Sequence, residues 1–371
     1  MVKEANIKIK NTIDYFKGAG LSLIATQDEI IDWSHAAAIA FVVGDVNRWP
    51  IIGSQGEISV EFESYVRELE PKISEFTNMK VEDPLCCPVI FDRAEWIVTA
   101  IESIKPLVDP LLEHVVNALY KQRGGSLKLT QAAATTQMGT VIGYLSKRVL
   151  GQYDLPVVDD ISPIGKLYFI YPNIEAIEKR LGLESRDFRR WLALHESTHG
   201  FEFESNKWLQ SHLRSLIDRH TDFIATKINA SRGSADNRLN PVSFFFSGSL
   251  KEIVNVRNNK ILSEIQAFMS LIEGYSDYVM KRLSRKLIPK SELINELFER
   301  RRRSESWAER LIEKYIGLDI KLKQYEIGES FVANVVDKGG MDLLNHVWSG
   351  PESLPSLKEI EEPALWIRRV S

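Results

Sequence analysis

The chain has 371 residues, of which 44% are hydrophobic and 26% are charged, and its formal net charge is −4. These values fit a globular protein with a substantial core, and the longest apolar run, residues 36–43, is far shorter than a membrane span of about 18 residues or more. A small negative charge gives no global attraction to nucleic acid or to an anionic membrane. The basic run 300–303 stands among glutamates at helical spacing, so ion pairs on a solvated face explain it. We therefore expect no nucleic acid and no membrane as partners.

The cysteines and the N-terminal segment indicate the compartment. The only two cysteines, Cys86 and Cys87, are adjacent, and vicinal cysteines cannot link distant segments of the chain. The first ten residues alternate charges and contain no apolar core of a signal peptide. These features predict a protein of the reducing cytoplasm.

The first part of the chain has the periodicity of helices. Hydrophobic spacing predicts helices over 21–43, 58–76 and 92–119, the last of them broken or kinked near Pro106 and Pro110. We therefore expect a mainly α architecture from this region onward.

A turn signal at 122–126 is the best internal boundary. It divides an N-terminal helical region, 1–125, from a second region, 126–371, although the two could form one continuous domain. The stretch after this boundary carries Gly139 and Gly143 four residues apart. This spacing indicates close packing against another helix, or simply two tolerated glycines in a buried helix.

A short β segment follows. Residues 154–160 and 165–172 could form a hairpin around Ser162 and Pro163, because both runs are rich in apolar and β-branched or aromatic residues. The sequence therefore predicts a small β-hairpin or sheet within a mainly α fold.

Residues 195–199 read His-Glu-Ser-Thr-His, an HExxH motif that continues an amphipathic stretch from Phe188. Positions i and i+4 of an α-helix lie one above the other on a single face, so His195 and His199 can direct both imidazoles at one tetrahedral zinc ion. Glu196 can then act as general base on a zinc-bound water, whose pKa the metal lowers towards neutrality. The alternative is a helix with two surface histidines and a solvated glutamate.

A catalytic zinc usually takes three protein ligands and keeps its fourth position for water, so a third ligand must come from outside the pentapeptide. Glu202 shares the helical face of the two histidines but lies a full turn beyond the second one. Three further candidates stand in no recognisable arrangement: Glu204, Asp218 and His220. The better candidate is Glu273.

Glu273 lies in a stretch, 263–280, whose apolar residues follow helical spacing. Glu273 and Asp277 are then i and i+4 on one face, so Glu273 could bind the metal while Asp277 accepts a hydrogen bond from a ligand histidine. Gly274 weakens a helix by about 1 kcal/mol relative to alanine, which makes sense if a second helix packs closely there. An ordinary solvated helix face is the alternative for the two carboxylates.

The motif and the later Glu273-Gly-Tyr-Ser-Asp277 together resemble the glutamate zincins, in which a downstream ExxxD helix supplies the third ligand and its supporting aspartate. More specifically, the chain resembles a zincin-like metallopeptidase family whose name associates it with biosynthesis of the deazaflavin coenzyme. The matching blocks occur in the family's order between residues 90 and 371. They are 137–155, 171–173, 188–191, 207–209, 321–331 and 363–370.

This resemblance implies a largely helical zinc-dependent hydrolase, most simply a metallopeptidase or amidase, with one zinc ion per chain and a peptide or amide substrate. It implies the ligand set His195, His199 and Glu273, with Glu196 as base and Asp277 in support of a ligand. The family often has histidine where this chain has Tyr275, so Tyr275 is a weak candidate for stabilising the oxyanion. Two other weak candidates for that role are His212 and His220.

Zincins place an edge strand beside the metal helix, where it pairs with an extended peptide. Residues 166–171 could form such an edge strand or a merely structural one.

The motif and the resemblance leave two possible functions. The first is a zinc-dependent hydrolase. The second is a non-proteolytic metal-binding protein in which zinc joins two helices in a closed site and the cleft binds a partner or metabolite.

Overall fold

A computed structural model describes residues 30–46, 55–85, 88–123, 127–154, 165–230, 260–304 and 323–371. Within these ranges the chain forms α-helices joined to one small sheet, as the sequence predicts. The helices are α1 (Trp33–Gly44), α2 (Gln55–Thr77), α3 (Arg93–Arg123), α4 (Leu127–Leu145), α5 (Tyr171–Leu181), α6 (Ser185–Glu204), α7 (Trp208–Ala230), α8 (Lys260–Leu287), α9 (Ser291–Ser304), α10 (Lys323–Asn345), α11 (Leu357–Glu361) and α12 (Pro363–Val370). The strands are β1 (Val89–Phe91), β2 (Gly151–Asp154) and β3 (Lys166–Ile170). In these ranges no helix is long and apolar enough to cross a membrane.

The predicted helices are largely found. α1 ends at Gly44, where Asp45 adopts a left-handed conformation (φ 55°) and its N–H caps the last turn. α3 continues through Pro106 and Pro110 as one helix, so it is not broken there, although each proline removes a helix hydrogen bond. The predicted kink stays a prediction. Four predicted features lie outside the described residues: the start of the first helix at 21–29, the cysteine pair, the 124–126 part of the boundary turn and the hairpin turn at 162–163.

The sheet has the order β1-β3-β2. β2 and β3 pair antiparallel, with Gln152 opposite Tyr168. β2 shares only Asp154 with the predicted first strand, 154–160, and the rest of that predicted strand lies outside the described residues. β1 pairs parallel to β3, with Ile90 opposite Phe169. β3 is therefore the central strand, and the prediction that 166–171 could be an edge strand is wrong. Among the described residues, β1 and β2 are the edges of the sheet.

Two hydrophobic cores hold these elements together. The larger core surrounds α6 and includes residues from α2, β3, α8 and α10, among them Phe62, Phe169 and Phe331. The smaller core joins α1, α3 and α4 around Trp33 and Ile97. The first core draws on residues 58–90 as well as 167–366, so both sides of the boundary predicted at 125/126 contribute to it.

A buried polar link connects the two cores. The Arg93 guanidinium donates to the Asn173 side-chain oxygen at 2.8 Å and to the Gly44 carbonyl at 3.2 Å. The Asn173 amide nitrogen in turn donates to the Ser146 and Val149 carbonyls, both at 2.7 Å. These bonds satisfy carbonyls at the ends of α1 and α4, where a helix leaves its last acceptors without internal partners.

Glycines allow two pairs of helices to approach closely. A Cβ on Gly139 would lie 2.4 Å from the Ala36 carbonyl oxygen, and one on Gly143 would lie 2.6 Å from that of Ala40. The close-packing interpretation of this glycine pair is therefore confirmed. Gly328 meets α8 in the same way, since a Cβ there would lie 1.9 Å from the Ser270 carbonyl oxygen. We call these the α1–α4 contact and the α8–α10 contact.

Candidate metal centre

Both motif histidines lie on α6, which the sequence builds as an amphipathic helix. Its apolar face, including Phe188 and Leu192, is buried in the larger core. The Trp191 ring stacks near His195, with centroids 6.4 Å apart, and its indole N–H donates to the Asn295 side chain at 2.8 Å. The packed side of the helix therefore fixes which way the histidine side faces.

The structure brings Glu273 to the two histidines. One ligand atom from each of His195, His199 and Glu273 lies within 4.8 Å of the others, and the His199 Nε2 atom is 3.8 Å from a Glu273 carboxylate oxygen. Glu273 is held there by the α8–α10 contact, because a Cβ on the adjacent Gly274 would lie 2.2 Å from the backbone of Gly328. The close helix packing predicted for Gly274 is therefore confirmed.

This donor set suits zinc. Two imidazoles and a carboxylate are the ligands of a catalytic zinc site, with bonds of about 2.0–2.2 Å. The ligand atoms of such a site lie about 3.3–3.5 Å apart, so small side-chain rotations would bring this group to that geometry. The His199 side chain is 12% exposed and that of Glu273 is 23% exposed, which leaves the group reachable from solvent.

Glu196 lies beside this group and is buried, with 6% of its surface exposed. Burial, together with the nearby Glu273 carboxylate, raises its pKa to about 7, against the lowering effects of His199 and of a hydrogen bond from the Tyr153 backbone N–H. A carboxyl group with a pKa near neutrality can both take and return a proton at physiological pH. This is the behaviour that a general base in hydrolysis requires.

Strand β2 holds Glu196 from one side. A Cβ on Gly151 would lie 2.6 Å from the Glu196 Cγ atom, so only glycine lets the strand come this close. Among the described residues β2 pairs with β3 alone, and its other edge runs past α6. The edge strand expected beside the metal helix is therefore β2 and not residues 166–171.

A second acidic residue, Glu204 at the end of α6, is hydrogen bonded to the same strand. The Tyr153 hydroxyl donates to the Glu204 carboxylate, and the Gly165 N–H donates to the same oxygen at 3.0 Å. The Tyr153 ring also lies near Phe203, with centroids 6.2 Å apart. Glu204 thus joins β2 and the start of β3 to α6, and it does not belong to the ligand group.

The back of the His199 ring is hydrogen bonded as well. Its Nδ1 atom lies 2.9 Å from a Glu202 carboxylate oxygen and 3.0 Å from the Ser276 hydroxyl. The Ser276 hydroxyl donates to the same Glu202 oxygen at 2.9 Å. Glu202, which the sequence offered only as a distant ligand, therefore touches the face of the imidazole that points away from Glu273.

The electrostatics of the group favour a cation. Glu196, Glu202 and Glu273 all act on His199, and although burial opposes its charged form, the Glu202 hydrogen bond and these carboxylates raise its pKa above the ordinary value. Burial has the opposite effect on a carboxyl group and raises the pKa of Glu202. Three acidic groups around two imidazoles form a site in which a divalent metal ion can replace a bound proton.

Two of the remaining candidates, Tyr275 and His212, make contacts outside the ligand group. Tyr275 is fully buried, and its hydroxyl is 3.4 Å from the Asn345 side-chain oxygen, so its described contacts give it no place at the oxyanion. His212 lines a separate cavity of about 470 Å³ beside Phe268 and Leu354. Asp277 is buried one residue beyond Ser276, and its predicted support of a ligand histidine stays a prediction.

Comparison with known proteins agrees with this geometry. A family model described as zincin-like metallopeptidase matches residues 31–367. The chain belongs to the zincin-like metallopeptidases. No curated protein matches the chain. It is similar to a protein from Chloroflexus aurantiacus whose crystal structure is described as that of a candidate hydrolase with a novel fold. The two are 32% identical over 92% of this chain and 98% of that chain, with a TM-score of 0.70.

Family membership and this structural likeness support a metal-dependent hydrolase. The sequence did not predict three contacts at the zincin-like site. They are the close approach of β2 to Glu196 at Gly151, the hydrogen bonds of Glu204 with Tyr153 and Gly165, and the hydrogen bonds of Glu202 and Ser276 behind His199. A lone glycine in a strand signals a close backbone approach, and Glu202 and Ser276 each lie three residues after a ligand, on the ligand's face of its helix. These signals were present in the sequence but did not reveal which partner each residue contacts.

Proposed function

We propose that this protein is a zinc-dependent hydrolase that cleaves peptide or amide bonds, with His195, His199 and Glu273 as metal ligands and Glu196 as general base. The observation that carries the proposal is the convergence of α6 and α8 on one ligand group with a buried carboxylate beside it. When bound there, zinc would polarise the scissile carbonyl and lower the pKa of a water molecule. Glu196 would take the proton of that water and pass it to the leaving nitrogen.

The surroundings of Glu196 support this role. Burial raises its pKa to about 7, which makes it a stronger base than a solvated glutamate. A hydrogen bond from the Tyr153 N–H and the close backbone at Gly151 limit the positions that its side chain can take. A base held in place in this way does not lose reaction rate to side-chain reorientation.

Strand β2 favours a peptide as the substrate class. An extended chain can add to an exposed strand edge through backbone hydrogen bonds. The edge of β2 that faces away from β3 runs next to Glu196, so a peptide aligned along it would present a carbonyl group near the ligand group. The partial exposure of Glu273 disfavours the alternative of a closed structural zinc site, which would have four protein ligands.

The test compares wild type with Glu273→Ala and Glu196→Gln. We expect elemental mass spectrometry to find about one zinc per chain in wild type and in Glu196→Gln, and little in Glu273→Ala. A fluorogenic peptide library should be hydrolysed by wild type only. Hydrolysis that persists in a metal-loaded Glu196→Gln preparation would contradict the role of Glu196, and full zinc content in Glu273→Ala would contradict the ligand set.

A further inference from the structure

The burial of Glu202 is energetically unfavourable. Its side chain is completely buried, and an ionised carboxylate in an apolar environment is strongly disfavoured unless it is paired and hydrogen bonded. One carboxylate oxygen has two partners, His199 and Ser276, whereas the other oxygen has no hydrogen-bond partner among the described residues. An apolar side chain would fill this position at lower cost, so packing alone does not explain Glu202.

The direction of the His199 ring gives the explanation. Its Nε2 atom faces Glu273 at 3.8 Å, while its Nδ1 atom faces Glu202 at 2.9 Å. A metal ion in the ligand group would therefore bind Nε2, and Nδ1 would carry the proton and donate it to Glu202. A carboxylate that accepts from the far nitrogen of a ligand imidazole fixes its tautomer and orientation and increases its basicity.

Ser276 completes this arrangement from the other helix. Its hydroxyl lies 3.0 Å from His199 Nδ1 and 2.9 Å from the Glu202 oxygen, so the three side chains form a closed triangle. Ser276 is on α8, three residues after Glu273, whereas Glu202 is on α6, three residues after His199. The triangle thus ties the two ligand-bearing helices together directly behind the metal position.

We propose that Glu202, together with Ser276, is the positioning residue of this centre: it holds His199 with Nε2 towards the metal. This assignment rests on the proposed metal site but is separate from the identity of the substrate. It also differs from the sequence prediction, which gave the support of a ligand histidine to Asp277. The described contacts of His199 Nδ1 are with Glu202 and Ser276.

The test measures the Zn²⁺ dissociation constant by competition with a chromophoric chelator, so no substrate is needed. We expect Glu202→Ala to weaken binding roughly 10- to 100-fold, the usual effect of losing a partner behind a metal ligand. Glu202→Gln should stay within a few-fold of wild type, because its amide oxygen still accepts from Nδ1–H. Ser276→Ala should fall between the two and serves as the second variant if Glu202→Ala does not fold.

A matched control separates positioning from general stability. Glu178 is also buried and charged, but it pairs with Arg189 at 2.8 Å, away from the ligands. We expect Glu178→Gln to lower the melting temperature and leave the Zn²⁺ dissociation constant unchanged. In the zinc-loaded protein, ¹⁵N NMR of the histidine side chains should show His199 protonated on Nδ1 in wild type and in Glu202→Gln.

The outcomes are distinguishable. If wild type binds no Zn²⁺, both the proposed function and this assignment fail. If wild type binds tightly and Glu202→Ala binds equally well, only the positioning role is overturned. Equal weakening in Glu202→Ala and in Glu178→Gln would also overturn it, since it would mean that any loss of a buried carboxylate disturbs the site.

Discussion

The α1–α4 contact and the α8–α10 contact use the same packing device for different ends. In each, glycines bring two helix backbones so close that a single added Cβ would lie 2.6 Å or less from a backbone atom. Gly139 and Gly143 serve only the smaller core, whereas Gly274 stands next to the candidate ligand Glu273. Close packing next to a candidate ligand therefore determines the position of that ligand as well as the stability of the fold. The same Gly→Ala substitution should lower the Zn²⁺ affinity at the α8–α10 contact but not at the α1–α4 contact.

The largest effect is expected at the α8–α10 contact. Gly328→Ala would place a Cβ 1.9 Å from the Ser270 carbonyl oxygen, and a backbone atom cannot move aside cheaply. We expect a loss of unfolding free energy of about 3 kcal/mol and a roughly tenfold weaker Zn²⁺ affinity, because α8 and therefore Glu273 must shift. Chemical denaturation and chelator competition measure the two effects. A destabilised variant with wild-type affinity would break the link between this contact and the ligand.

The matched substitution at the α1–α4 contact should affect stability alone. Gly139→Ala would place a Cβ 2.4 Å from the Ala36 carbonyl oxygen, so we expect a loss of about 1–3 kcal/mol in the free energy of unfolding. The same denaturation and competition measurements should show unchanged Zn²⁺ affinity. Weakened affinity here would mean that the two cores act as one unit and that the comparison is wrong.

A third glycine substitution, at Gly151, extends the comparison to Glu196, the proposed general base. Gly151→Ala would place a Cβ 2.6 Å from the Glu196 Cγ atom and displace that side chain. We expect about a hundredfold loss of kcat/KM, about 2.7 kcal/mol of barrier, with zinc content close to that of wild type. Peptide-library kinetics and elemental analysis on the same preparations test this. Loss of zinc in the variant would show that β2 supports the ligands as well as the base.

The smallest effect is the pH dependence of an ion pair outside the ligand group, Glu359–Arg369. Burial opposes the ionisation of Glu359, but hydrogen bonds from Arg369 and Ser356 outweigh it and hold its pKa below the ordinary value. The stability gained from this pairing is therefore complete above the unfolded pKa of about 4.3 and is lost as the pH falls further. We expect the melting temperature of wild type to approach that of Glu359→Gln below about pH 4, because the protonated carboxyl and the amide are both neutral. A difference between the two proteins that is independent of pH would contradict this assignment.

The sequence predicted the mainly α fold and the grouping of His195, His199 and Glu273, because each rests on helical periodicity. The motif fixes two residues on one face of one helix, and the Glu273–Asp277 spacing marks a second such helix. The strands were predicted less well. Three short strands carry little pattern, and which of them is central depends on β1, whose three residues gave no signal of their own.

The contacts behind the ligands could not be predicted for a different reason. Glu202 and Asp277 are both carboxylates at helical spacing from a candidate ligand, and sequence spacing alone does not show that Glu202 contacts the Nδ1 atom of His199. The contacts of Ser276 with both of these residues depend on how α6 and α8 pack against each other, which spacing within one helix does not encode. Tyr275 lies two residues after Glu273, which places it on the opposite, buried side of α8.

The α8–α10 contact also has a consequence for biosynthesis. The motif histidines leave the ribosome long before residue 328, and until then α8 lacks the backbone against which Gly274 packs. Domains form during synthesis from the N-terminal side, so a nascent chain would carry two ligands on a folded helix without a fixed third. A metal centre built in this order would form only after residue 328 has left the ribosome, and shorter chains would lack the fixed third ligand.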